Sequence, residues 1–159
     1  MNNWDKLSSE SKVWIYGANR HLTEQEKTSI LDILDRFCDN WAAHGDKLDC
    51  GFKIIHNQII VLAVDEISAA ASGCSIDTSV KVFQEIDSTF NLDLFNRLRT
   101  YQVVDDRVKT HMSIAIKEGL SNGTLESSSQ FIDTLITTKG DIHSTLVKPL
   151  NQTWLLKYL

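Results

Sequence analysis

The run Ile59-Ile60-Val61-Leu62-Ala63-Val64 constrains the fold more than any other stretch of the chain. Six successive apolar residues lack the two-residue alternation of a half-solvated strand and the length of a helix, so they read as a central strand covered on both faces. The preceding "DCGFKII" is also β-rich, and His56, Asn57 and Gln58 between the two runs make a hairpin turn without the usual glycine.

Other elements fall on either side of this hairpin. "VWIYGAN" at 13–19 reads as a strand closed by Gly17. Thr23 and Glu26 form a capping-box pattern ahead of Ile30, Ile33, Leu34, Phe37 and Trp41, whose spacing predicts a helix over 24–43, ended by the His44-Gly45 pair. Ile76, Val80, Phe83 and Phe90, with Ile86 beside them, predict a second helix over 75–90, and "RTYQVV" at 99–104 a fourth strand. The order β-α-β-β-α-β is that of an α+β fold with a ferredoxin-like core, the split βαβ unit. One domain is expected over 1–159, with the core at about 13–104 and a C-terminal extension at 105–159, in which 109–120 suits a helix and "QFIDTLITT" a strand. Trp4 and Trp154 lie outside the regular pattern and either clamp the chain ends or form a dimer contact.

Charge and cysteine content narrow the functional classes. Sixteen Lys and Arg against twenty-one Asp and Glu leave a net charge of -5, which disfavours attraction to nucleic acid or anionic membrane surfaces. No apolar run approaches the about 20 helical residues of a membrane span, and the start of the chain has no signal-peptide pattern, so a cytoplasmic protein is expected. Cys38, Cys50 and Cys74 are odd in number and show no C-x-x-C spacing, which predicts free, reduced thiols. No metal motif or cofactor fingerprint is present.

In a ferredoxin-like core the first and third strands run parallel, and the helices that follow them start at one sheet edge. That edge would join Asn19, Arg20 and His21 of one loop to Asp65, Ser72, Gly73, Cys74, Ser75 and Asp77 of another. A helix N-terminus there would favour an anion, balanced by Arg20. Cys74 at that terminus is a candidate nucleophile with His21 as its base, against the plainer reading in which Ser72 or Ser75 caps the helix, Gly73 makes the turn and Cys74 fills a small space. Asp65 and Glu66 are candidate carboxylates or, more simply, the polar exit of a strand. His44, at the far end of the first helix, is placed away from Cys74 by the same topology.

"VWIYGANR" (13–20), "WAAHG" (41–45), "VLAVDE" (61–66) and "SGCSIDTSV" (72–80) together resemble a family of small bacterial proteins of Bacteroidetes type that carry the label ABC transporter ATPase. The resemblance covers most of residues 4–100. ATP hydrolysis does not follow from it, because the chain has no Gly-Lys dipeptide and so no phosphate-cradling P-loop. The residues therefore suggest a non-catalytic module for a small anionic ligand or a protein partner, with a homodimer possible. A thiol-dependent enzyme using Cys74 and a structural subunit of a complex are the alternatives.

Overall fold

The computed structural model describes residues 1–159. β5 (Ile59–Asp65) is central and flanked on both edges, by β1 (Lys12–Gly17) and by its hairpin partner β4 (Asp49–Ile55). Its even-numbered side chains, Ile60, Leu62 and Val64, pack with Ile30, Leu34 and Cys38 of α1 (Glu24–Asn40) and with Phe83 and Ile86 of α2 (Gly73–Phe90). Its odd-numbered ones, Ile59, Val61 and Ala63, pack with Tyr101, Val108 and Ile132 of a second sheet. That sheet has the order β7-β6-β8-β9: β6 (Arg99–Val104), β7 (Arg107–Met112), β8 (Gln130–Ile132) and β9 (Val147–Pro149). The result is an α+β architecture of three layers, helices on sheet on sheet, and the two-faced burial of β5 explains its unbroken apolar run.

The ferredoxin-like arrangement is not what these elements build. β1 is antiparallel to β5, with Lys12 opposite Val64 and Gly17 opposite Ile59, so the parallel central pair expected from the element order is absent. β6 belongs to the second sheet rather than closing the first. Two-faced burial of β5 needs a second layer, and residues 99–149 supply it as strands instead of forming an appendix to a two-layer core.

Local differences have turn chemistry as their cause. α1 ends at Asn40, and Ala42–Ala43 (β2) pairs with Asp46–Lys47 (β3) around His44 and Gly45, both at positive φ, so the His-Gly pair makes a tight hairpin rather than a helix end. His56 and Asn57 turn the β4–β5 hairpin with positive φ, and Asp105 and Asp106 do the same between β6 and β7. That Asp-Asp turn makes 107–112 a strand, which takes the first turn of the helix expected over 109–120, and the helix α3 itself covers Ile114–Asn122. Of "QFIDTLITT" only β8 is a strand. A short helix α4 (Lys139–Ser144) follows Thr138, whose hydroxyl caps it.

Cys38 and Cys50 form a disulfide between α1 and β4, buried in the core, which corrects the expectation of three free thiols; Cys74 alone is free and is exposed. Trp4 is buried and pins the N-terminal segment, while Trp154 packs on the small cluster of Ile116, Phe131 and Leu150. No helix is long and apolar enough to cross a membrane.

Candidate functional site

The two loops expected to share a sheet edge sit at opposite ends of β1. Five strand steps separate Gly17 from Lys12, roughly 17 Å at strand rise, and the loop after Asp65 lies at the Lys12 end. Antiparallel helices complete the separation. Trp41, at the end of α1, donates its indole N–H to the Ser75 carbonyl at 2.8 Å, in the first turn of α2. Asn19, ahead of α1, donates its backbone N–H to the Leu92 carbonyl at 2.8 Å, beyond the end of α2.

Asn19, Arg20 and His21 therefore meet the C-terminus of α2. Arg20 donates to the Phe90 carbonyl at 3.0 Å, where the helix dipole favours a cation, and makes two further bonds to the Glu26 carboxylate at 2.8 and 2.7 Å. It is not a free anion receptor. His21 faces the Val108 carbonyl at 3.3 Å, far from Cys74. Glu26 also accepts the Thr23 N–H while Thr23 accepts the Glu26 N–H, closing the capping box.

This network carries a pH prediction. The Arg20 guanidinium, helped by the Thr23 N–H, lowers the Glu26 carboxyl from 4.5 to about 2. A depressed folded-state pKa gives stability that is whole above the unfolded value and lost as pH falls from about 4.5 towards 2. Arg20 is partly exposed, so Arg20→Ala is expected to lower unfolding free energy at neutral pH by only about 0.2–1 kcal/mol. The deficit should shrink as urea titrations are repeated towards pH 2. An equal deficit at both ends of that range would refute the assignment.

At the other end, Ser72 caps α2 by accepting the Ser75 N–H at 3.2 Å, as the plainer sequence reading expected. Gly73 is exposed and helical with open space around it, so it makes no special turn, and Cys74 fills no cavity because it too is exposed. Asp65 accepts the Ile67 N–H at 3.0 Å and the Ser8 N–H at 3.2 Å, and these bonds hold its carboxyl below the usual range. It anchors the turn ahead of β1. Glu66 pairs with Lys12. Asp77 and His44 are exposed; β2 packs against α2, so His44 lies at the end of the helical layer where α2 starts, the reverse of its expected placement. No group of three or more His, Cys, Asp or Glu side chains could hold a metal ion.

A concave, mainly apolar feature lies elsewhere. A groove of about 860 Å³ runs beside β1, lined by residues 13–17, 94–99 and 134–137 together with Val80, Tyr101 and Trp154; twelve of its eighteen lining residues are apolar, the character of a recognition surface rather than a hydrophilic cleft. Tyr16 stacks on Phe83, with ring centroids 3.8 Å apart, and meets Phe95 edge-on, so the wall at 94–99 is tied to the core. On the opposite side Tyr101 lies over Gly17, where any Cβ would collide with its ring and hydroxyl. Phe95, Leu98 and Leu135 remain 42%, 59% and 65% exposed.

Two arginines border this groove with different roles. Arg99 is buried and held by Asp93, through that residue's carboxylate and its carbonyl at 2.9 Å. Arg97 is exposed and has no carboxylate partner. Its charge reaches Tyr16, whose phenol is pushed up by burial and pulled back by the guanidinium. The backbone of β1 lies along the same groove. Val13 donates away from β5, to the Thr137 carbonyl at 3.0 Å, so the alternation of an antiparallel ladder turns Ile15 and Gly17 outward as well. β1 is the edge of its sheet, and past the bridge between Lys12 and Thr138 no strand covers it. Sequence reasoning missed this site because its walls come from residues 94–99 and 134–137, segments without regular pattern; the signal available was the clustering of Leu94, Phe95, Arg97, Leu98 and Arg99 in one loop.

No family model matches the chain, and no curated protein or solved structure matches it, so the resemblance to the small bacterial family rests on its four motifs alone.

Proposed function

We propose that the protein is a non-catalytic binding module whose site is the apolar groove beside β1. One observation carries this reading: a large concave surface, lined mainly by apolar side chains, combines an uncovered sheet edge with an unpaired guanidinium. The groove brings together no nucleophile and base, and the sole free thiol, Cys74, is not among its lining residues. Binding at the two-loop edge loses its basis, because the loops do not meet and Arg20 is committed to Glu26. The cystine between Cys38 and Cys50 favours an oxidising compartment over a reducing cytoplasm as the place of action.

The test is a melting-temperature screen with apolar carboxylates, nucleotides and a mixed peptide pool, run on the wild type, Leu135→Glu and Cys74→Ala. Leu135 is exposed, so its replacement should leave stability within about 0.5 kcal/mol. At least one probe should stabilise the wild type and Cys74→Ala but bind Leu135→Glu at least about ten-fold more weakly, the loss expected for a buried apolar contact. Absence of any stabilising probe, or dependence on Cys74 instead of Leu135, would overturn the reading.

A further inference from the structure

We infer that the groove takes an extended peptide segment of another protein, carrying an acidic side chain, which adds to β1 as a further strand. The inference rests on the groove reading and names its occupant. The open groups dictate the chemistry. Between Val13 and Gly17, roughly 13 Å of strand, the Val13 carbonyl, the Ile15 N–H and carbonyl, and the Gly17 N–H all face away from β5. Their spacing is the repeat of a β-ladder, which another extended backbone matches and a compact small molecule does not.

The chain already uses the first part of this edge. Lys139 N–H donates to the Ser11 carbonyl at 2.8 Å and Val13 N–H to the Thr137 carbonyl, after which residues 134–136 leave the line of the strand. An incoming segment would continue that line. The walls restrict what can do so. Leu94 belongs to the helix side of the sheet and Tyr101 and Ile136 to the other, so the edge lies between two raised borders. A second copy of this chain would carry β1 behind the same borders and set wall against wall, whereas a bare strand meets only one set of borders. Alternate side chains of that strand would lie against Phe95 and Leu98 on one side and Leu135 on the other. Arg97 is the free cation among these residues in a chain of net charge -5, and a carboxylate is its complement.

The experiment is selection of random twelve-residue peptides displayed on phage against the whole protein, followed by binding measurements on the synthetic winners. Enriched sequences should alternate β-branched or aromatic residues with polar ones and include Asp or Glu. Methylation of a single peptide N–H should weaken binding roughly ten-fold at alternate positions only, because only every second N–H of an added strand donates to the ladder. Ile15→Pro removes an outward N–H without touching the ladder to β5 and should weaken the same peptides; if that variant fails to fold, the methylated peptides still decide. Arg97→Glu should turn the selection from acidic to basic sequences. Peptides indifferent to methylation, an unchanged selection with Arg97→Glu, or no enrichment would each overturn the inference. If peptides fail while a small molecule still binds in a Leu135-dependent manner, the peptide inference falls and the groove reading stands; if nothing depends on Leu135, both fall.

Discussion

Phe83→Ala is expected to destabilise the fold by about 3–5 kcal/mol, the range for removing a fully buried aromatic ring from a packed core. Phe83 is completely inaccessible and stacks on Tyr16 with only 11° between the rings, so it joins α2 to β1 through the one aromatic side chain that also contacts Phe95. The cavity would open directly beneath the groove wall. Phe83→Leu keeps most of the volume and should cost clearly less. Urea unfolding midpoints at constant slope would measure both, and a loss below about 1.5 kcal/mol for Phe83→Ala would show that the ring is not packed as described. Peptide affinity should fall with Phe83→Ala even where the protein remains folded, since the 94–99 segment would lose its fixed neighbour.

Loss of the Cys38–Cys50 bond is the second large effect. The cross-link spans 12 residues, for which loop-closure entropy gives about 3 kcal/mol of stabilisation. Cys50→Ser should lower unfolding free energy by an amount of that order, as should reduction of the wild type, and reduction of the variant should cost nothing further. Alkylation read by mass spectrometry gives the covalent check: under non-reducing conditions iodoacetamide should label Cys74 alone, and after reduction and unfolding all three cysteines. Labelling of three cysteines in the unreduced folded protein would remove the disulfide from the account.

These features were unequally legible in the sequence. The capping box at Thr23 and Glu26, the strand at 99–104 and the helix ending at Phe90 are local, and each lies where side-chain spacing put it. Strand direction is not local. Nothing within "VWIYG" states whether it runs with or against β5; the choice depends on which layers must cover Ile59, Val61 and Ala63, and apart from Trp4, Leu7 and Val13 the covering residues come from beyond position 100. The candidate site failed with the topology: Arg20 and Ser72 are well placed as helix-end partners, one at the end of α2 and one at its start, and the same chemistry that suggests an anion site also serves to close helices. Three hairpins turn on His-Gly, His-Asn and Asp-Asp pairs at positive φ; the second is legible from the β-rich runs on either side, whereas His44-Gly45 reads equally well as a helix end and the Asp-Asp pair carries no glycine to mark it. The Cys38–Cys50 pairing joins a helix to a strand whose relative placement is itself a product of the tertiary fold.

The double burial of β5 also sets the order in which the chain can be made safe. Residues that cover its helical face are complete by Leu94, but most of those that cover Ile59, Val61 and Ala63, beyond Trp4, Leu7 and Val13, lie between Tyr101 and Leu146. During synthesis a nascent chain halted near residue 98 would present one finished face and one apolar face covered only by the N-terminal segment, a surface open to aggregation or chaperone capture. The final third of the chain is thus needed to complete the core, and a shortened version ending before β6 would be a sticky intermediate rather than a smaller domain.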